Sequence, residues 1–223
     1  LTGDRDSDLS ALEAAVADRA AAGRSFDACV DVSGYTVRQL ERSLDAIGGH
    51  VRRYLFISTV SVYKAPAPER FDENAPVEEL DDPYVELTND TYGSLKAECE
   101  HRVIDRMEGG ALVYRLGLVN GPWDTSDRAT YWSIRASEGG EIFVPAGPET
   151  PFQVIDARDI GGAVVYGLEQ ELSGRYNLVN EPTTWKNWLT TSREVTVQGS
   201  EGAPHYVWAD EQKWVETQVE KLA

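Results

Sequence analysis

The hydrophobic positions change period several times along the chain, and each change marks a new element. Leu9, Leu12 and Val16 recur at helical spacing behind Ser7 and Asp8, either of which suits a cap, so a helix is predicted to about Gly23. Phe26 to Val32 (FDACVDV) is a short, mostly apolar run bounded by Gly23 and Gly34, the pattern of a buried parallel strand. Val37, Leu40, Leu44 and Ile47 then step by three and four residues, which predicts an amphipathic helix stopped by Gly48-Gly49. Tyr54 to Ser58 (YLFIS) reads as the next buried strand. From Lys64 to Asp90, Pro66, Pro68, Pro76 and Pro83 fall among many acids, so a long irregular surface excursion is expected. Helical steps resume from about Asn89 through Met107, carried by Leu95, Cys99 and Val103, and Ala111 to Leu116 (ALVYRL) follows as a strand. Beyond Gly121-Pro122 the pattern loosens. It gives a Tyr- and Trp-bearing helix, a strand near Phe152 to Ile155, a helix after Asp159, whose plain reading is an N-cap, and a strand at Tyr176 to Val179.

Strands alternating with helices predict an α/β fold with a doubly wound, Rossmann-like parallel sheet, because parallel neighbours need crossovers that helices supply. No repeat or linker divides the chain, so residues 1–223 are read as one unit, with residues 1–120 as its core and 121–223 as a smaller C-terminal portion. Forty-one per cent hydrophobic residues, with six Trp and ten Tyr, suffice for a core in 223 residues. No apolar run approaches the ~20 residues needed to span a bilayer, so no membrane partner is expected.

Charge narrows the partners further. Against 38 acidic residues stand 21 basic ones, and the net charge of −17 would repel phosphate backbones, which excludes nucleic acid. Cys29 and Cys99 lie far apart in apolar segments with no CxxC, and His50, His101 and His205 are scattered, so neither a disulfide framework nor a metal site is expected. The opening Leu1-Thr2-Gly3-Asp4-Arg5-Asp6 has no basic or apolar leader, and a reducing cytoplasm fits best.

Chemistry concentrates in two segments. Tyr92-Gly93-Ser94-Leu95-Lys96 sets a phenol and an ammonium four residues apart, on one helix face and one turn apart. A phenol titrates near 10, and a cation within about 4 to 6 Å favours its phenolate, which makes it a usable base. Upstream, Ile57-Ser58-Thr59-Val60-Ser61-Val62-Tyr63 delivers hydroxyls to the end of a buried strand, the edge where open α/β sheets bind ligands.

Together, ISTVSVY and YGSLK resemble the Ser/Thr plus Tyr-x-x-x-Lys pattern of the extended short-chain dehydrogenase/reductases, the NAD-dependent epimerase/dehydratase family. The resemblance runs over about residues 1–180. It implies catalysis by Thr59, Tyr92 and Lys96, with Lys96 also holding the ribose of NAD or NADP. Gly3-Asp4-Arg5 resembles the strand end whose Asp contacts the adenine, and Asp31-Val32-Ser33-Gly34-Tyr35 the loop beside the adenosine half. Cofactor contacts are thus implied for Asp4, Arg5, Ser33, Gly34, Tyr35 and Ser58. Arg115 to Pro122 (RLGLVNGP) resembles the strand end whose backbone, here Leu118 and Val119, flanks the nicotinamide. Substrate contacts are implied for Ser61, Arg128 and Gln153, with Tyr131 and Trp132 divided between core and substrate side. Relatives often dimerise through the helices that here carry Leu44 and Cys99, so a homodimer is implied.

The resemblance implies an oxidoreductase, epimerase or dehydratase acting on a hydroxylated small molecule such as a sugar nucleotide, with residues 1–120 on the cofactor side and 121–223 mostly on the substrate side. The sequence departs from the family in two places. A glycine-rich G-x-x-G-x-x-G turn is missing before the first helix, which reads as an N-terminally truncated fragment. The interval from Thr59 to Tyr92 is long and Pro-rich, an insertion near the substrate mouth. The competing reading is a non-catalytic redox-sensing or RNA-associated relative. Retention of Thr59, Tyr92 and Lys96 argues against the sensor, and the charge argues against RNA.

Overall fold

The computed structural model describes residues 3–47, 49–66, 70–196 and 204–209, so Gly48 and Pro68 lie outside the described residues. In chain order the elements are α1 (Ser10–Ala21), β1 (Phe26–Asp31), α2 (Val37–Ile47), β2 (Val51–Thr59), a 3-10 turn (Val60–Val62), α3 (Tyr92–Arg106), β3 (Ala111–Leu116) and β4 (Leu118–Asn120). They continue as α4 (Thr130–Glu138), β5 (Glu141–Val144), β6 (Pro151–Phe152), β7 (Val154–Asp156), α5 (Ala157–Glu169), β8 (Gly174–Leu178), β9 (Thr183–Thr184), α6 (Trp185–Thr196) and β10 (His205–Trp208).

The chain divides into two compact units, residues 1–117 with 158–178, and residues 118–157 with 179–223. The first is a parallel sheet in the order β1-β2-β3-β8. Its core lies where α2 and α3 cover the sheet, with Leu40 and Leu44 of α2, Leu95, Cys99 and Val103 of α3, and Phe56 of β2 all buried. The three-and-four spacing of those apolar residues is what turns one face of each helix inward. Leu44 and Cys99 therefore face the core.

The division differs from a boundary near residue 120. Residues 158–178, read as C-terminal portion, complete the first sheet: β8 pairs with β3, and the Tyr114 hydroxyl donates to the Ala163 carbonyl of α5 at 3.0 Å. Two local readings also change. α5 starts at Ala157, which puts Asp159 in its first turn rather than at its cap. The FDACVDV strand is less buried than its apolar run predicts, with Val30 41% and Val32 65% exposed, because β2 is the only sheet neighbour of β1 among the described residues.

The excursion after Tyr63 is irregular, as predicted, yet it is fastened down. Tyr63 bridges Val77, the Lys64 amide donates to the Pro76 carbonyl at 2.9 Å, and the Glu73 carboxylate accepts from the Asn177 amide at 2.7 Å. In the second unit β4 pairs with β7 and β5 with β10, both parallel, while β6 and β9 run antiparallel. Buried Ile142, Val144 and Leu189 pack there with Trp132 and Trp185, whose rings lie 5.0 Å apart. Trp132 thus belongs to this core, whereas Tyr131 is 47% exposed. Among the described residues no helix is long and apolar enough to cross a membrane.

Candidate active site

β1 and β2 are parallel and finish at the same edge of the sheet, Asp31 opposite Phe56, so the turns that follow them share that edge. After β2, the Thr59 hydroxyl accepts from the Ser61 amide and donates to the Ser61 hydroxyl, each at 3.1 Å. Thr59 is half-buried and Ser61 exposed, which leaves a pair of linked hydroxyls at the rim. The first turn of α3 sits directly on this turn. A Cβ on Gly93 would fall well inside van der Waals contact distance of the Ser61 carbonyl oxygen, so only glycine permits the approach. Tyr92 opens α3, half-buried, and Lys96 follows one helical turn later, as the spacing predicts.

Lys96 is 2% exposed, and its ammonium donates to the Gly34 carbonyl at 2.7 Å and the Ile57 carbonyl at 2.6 Å. The nitrogen also lies 4.0 Å from the centre of the Phe56 ring and 5.7 Å from that of Tyr35. Burial pulls its pKa down to about 8, against the opposing pull of Cys99, Asp31 and Glu100. One side chain thereby joins the turn after β1 to the end of β2. Gly34 must stay small as well, since a Cβ there would come within 2.9 Å of the Phe56 ring and 3.0 Å of the Asp31 carboxylate.

The turn after β1 is organised by Asp31. The Arg5 guanidinium grips its carboxylate with two bonds of 2.6 and 2.7 Å, the Tyr54 hydroxyl donates at 2.6 Å, and the Ser33 amide at 3.1 Å. Burial alone would raise the Asp31 pKa, but the bonds from Arg5 and Tyr54 prevail and hold it below the usual carboxylate value. The fork of Arg5 is thus committed to Asp31. Asp4 is exposed, and its carboxylate closes a local turn by accepting from the Asp6 amide at 2.9 Å and the Ser7 hydroxyl at 2.6 Å. Ser33 and Tyr35 stand exposed on either side of buried Gly34.

Ser58 faces the other way from Thr59. Neighbouring residues of a strand point to opposite faces, so with Thr59 at the rim Ser58 turns inward, where it is 3% exposed and donates to the Glu100 carboxylate at 2.6 Å.

That bond leads to residues the sequence reading passed over. Glu100, 1% exposed, accepts from Arg115 Nε at 3.0 and 3.1 Å, from Arg115 Nη2 at 2.6 Å and from Arg175 Nε at 3.2 Å. Arg115, 2% exposed, donates its remaining arm to the Tyr63 hydroxyl at 2.8 Å and the Glu73 carbonyl at 3.1 Å. The signal was present in ALVYRL: an arginine inside an apolar strand demands a buried partner, and Glu100 is the acid on the inward face of the neighbouring helix.

In the second unit, Leu118 and Val119 form β4 and pair with Val154 and Ile155 of β7. Arg128 is exposed and donates from Nε to the Ser126 hydroxyl at 2.8 Å, while Gln153 donates to the Asn180 carbonyl at 2.8 Å. A cavity of about 330 Å³ in the first unit lies among α1, β1 and α2, lined by residues such as Leu12, Val16, Phe26 and Tyr54. Arg5, Asp31 and Ser33 are also among its walls, whereas Thr59, Tyr92 and Lys96 are not, so the cavity adjoins the turn after β1 and not the Thr59, Tyr92 and Lys96 group. Both cysteines are free thiols whose pKa burial pushes up, to about 11 at Cys29 and about 12 at Cys99, which leaves them unreactive at neutral pH.

No protein-family model matches the sequence, and a search of curated proteins finds no match. Solved structures do match. The dTDP-glucose 4,6-dehydratase of Bacillus anthracis, crystallised with NAD, superposes with a TM-score of 0.67 at 15% identity, covering 94% of this chain and 67% of that one. The UDP-N-acetylglucosamine 4-epimerase of Bacillus cereus gives a TM-score of 0.63 at 18% identity, covering 90% of this chain and 73% of that one. The dTDP-4-dehydrorhamnose reductase of Bacillus anthracis, in complex with NADP, gives 0.61 at 15%, with 81% and 58% covered. The chain therefore has the Rossmann-like fold that these epimerase, dehydratase and reductase structures share.

Proposed function

We propose that the chain carries the catalytic centre of a nicotinamide-dependent enzyme of the extended short-chain dehydrogenase/reductase type, using NAD or NADP and acting on a hydroxylated small molecule of the sugar-nucleotide class. The observation behind this reading is the buried Lys96 ammonium, fixed by the Gly34 and Ile57 carbonyls one helical turn from Tyr92, with α3 pressed through Gly93 onto the Thr59–Ser61 turn.

The residues present fit one end of such a cofactor. Two of the three ammonium hydrogens of Lys96 are spent on carbonyls, and the third suits a ribose hydroxyl. Exposed Ser33 and Tyr35 would flank the adenosine half. The pyrophosphate cradle is not among these 223 residues, which contain no G-x-x-G-x-x-G turn. When bound, the nicotinamide supplies or accepts hydride. Tyr92 would exchange the proton of the substrate hydroxyl, and the Thr59 hydroxyl would hydrogen-bond the same oxygen. Lys96 would stabilise the negative charge that builds on Tyr92 as the proton leaves. Because Lys96 is already immobilised, no reorganisation is needed at the moment of transfer.

Titrating the full-length protein with NADH and with NADPH tests the reading, since either should quench its tryptophan fluorescence. Lys96→Ala is expected to weaken that binding about tenfold or more, the loss of one charge-assisted hydrogen bond. A protein indifferent to both reduced cofactors would rule the enzyme out.

A further inference from the structure

Two polar tethers hold α3 to β2, and they use adjacent residues of the strand. Lys96 bonds the carbonyl of Ile57 and Glu100, one turn further along the helix, accepts from the hydroxyl of Ser58. The next residue is Thr59. Tyr92, Lys96 and Glu100 follow one another at four-residue intervals, about 6 Å apart along a helix axis. A slide of α3 along its axis would therefore stretch both tethers while moving Tyr92 away from Thr59.

The Glu100 anchor is unusually broad. Ser58 and Arg115 are register partners on β2 and β3, and Val113 of β3 pairs with Arg175 of β8, so one buried carboxylate takes donors from three successive strands. Arg115 carries the connection outward through the Tyr63 hydroxyl, which donates to the Asn177 side chain at 2.5 Å, and through the Glu73 carbonyl of the excursion. A stack of apolar side chains would resist separation of helix from sheet equally well. What it lacks is direction, because dispersion contacts tolerate sliding that a bidentate guanidinium–carboxylate bond does not.

We propose that Glu100 and Ser58 are positioning residues for the reactive group: they fix the axial register of α3 so that Tyr92 and Lys96 stand opposite Thr59. The proposal rests on the nicotinamide-enzyme reading, and its test separates the two. Neither residue touches substrate or cofactor.

The gentler probe is Ser58→Ala, which deletes one tether and leaves Glu100 its two arginines. Its folding is followed by thermal melting, its cofactor affinity by NADH titration, and the ionisation of Tyr92 by the tyrosine absorbance that a parallel Tyr92→Phe protein lacks. The charged and titratable groups around Lys96 are Cys99 and Glu100 on its own helix, Asp31 on β1 and Arg5. Ser58→Ala leaves all of these charges in place and removes only the hydroxyl bond to Glu100, so a change in Tyr92 that Ser58→Thr reverses reports that tether. The expected result is a near-normal melt, NADH binding about tenfold weaker, and Tyr92 ionisation displaced upward as its cation draws off. Ser58→Thr, which restores the hydroxyl, should reverse both. Glu100→Gln should show the same changes in larger measure, if it folds.

A folded Ser58→Ala protein with unchanged NADH affinity and unchanged Tyr92 ionisation overturns the proposal, provided Lys96→Ala still weakens NADH binding. If the wild-type protein binds no NADH, it is the enzyme reading that fails instead.

Discussion

Replacing Lys96 with methionine should change the way stability depends on pH more clearly than it changes stability itself. At neutral pH two effects oppose. The buried ammonium is held at about 8 instead of its ordinary 10.5, mainly by desolvation, so keeping it charged costs the fold about 3 kcal/mol that methionine would relieve. Methionine, however, strips the Gly34 and Ile57 carbonyls of their donor, at about 1–3 kcal/mol each. The pH dependence is free of that ambiguity. Between about 8 and 10.5 the unfolded lysine holds a proton that the folded one has lost, so the contribution of Lys96 to stability rises with pH through this window. From pH 7 to pH 10 the wild-type protein should gain about 2 to 3 kcal/mol relative to Lys96→Met. Cys29 and Cys99, pushed up to about 11 and about 12, stay protonated over most of that range. Building both proteins on Tyr92→Phe keeps the neighbouring phenol out of the comparison. Urea unfolding at half-unit pH steps gives the two curves. Parallel curves would refute the claim that Lys96 is desolvated, and with it the fixed-cation account of the site.

Glycines offer a paired test by thermal or urea unfolding. Gly93→Ala forces a methyl into the Ser61 carbonyl and should destabilise by about 1–3 kcal/mol despite alanine's better helix propensity, whereas Gly162→Ala, exposed in α5 with open space around its Cβ, should stabilise by about 0.5–1 kcal/mol. Equal effects at the two sites would contradict the close approach of α3 to the Thr59–Ser61 turn. Asp31→Asn weakens the grip of Arg5 and should cost about 2–3 kcal/mol at pH 7. Because the folded Asp31 pKa lies below its ordinary 3.8, the wild-type advantage should persist above that value and vanish as acid titration passes through the folded one. A deficit independent of pH would mean that lost packing, not lost charge, is responsible.

The sequence discloses those elements whose side chains repeat at a fixed period against one continuous core. Val37 to Ile47 and Leu95 to Val103 each turn an apolar stripe inward, and the helices form where the spacing predicts them. The YxxxK spacing likewise sets Tyr92 and Lys96 one turn apart. Period says nothing about partners distant in sequence, so it missed Glu100, whose donors arrive from Ser58, Arg115 and Arg175. It also misjudged FDACVDV, because apolar composition shows that a strand can be buried but not how many neighbours it has. The two- to four-residue strands of the second unit, such as Pro151–Phe152 and His205–Trp208, are too short to display any period. Motif likeness points Arg5 and Ser58 toward a ligand, and only coordinates reveal that the Arg5 fork also holds Asp31 and that the Ser58 hydroxyl donates to Glu100.

Among the described residues one flank of β1 has no partner strand, which has practical weight for anyone handling the isolated polypeptide. Its outer row of amides and carbonyls, next to the half-exposed side chains of Val30 and Val32, is a ready template for another extended segment. Concentrated samples should favour self-association along that border, and a lysine in place of Val32 is the economical way to blunt it.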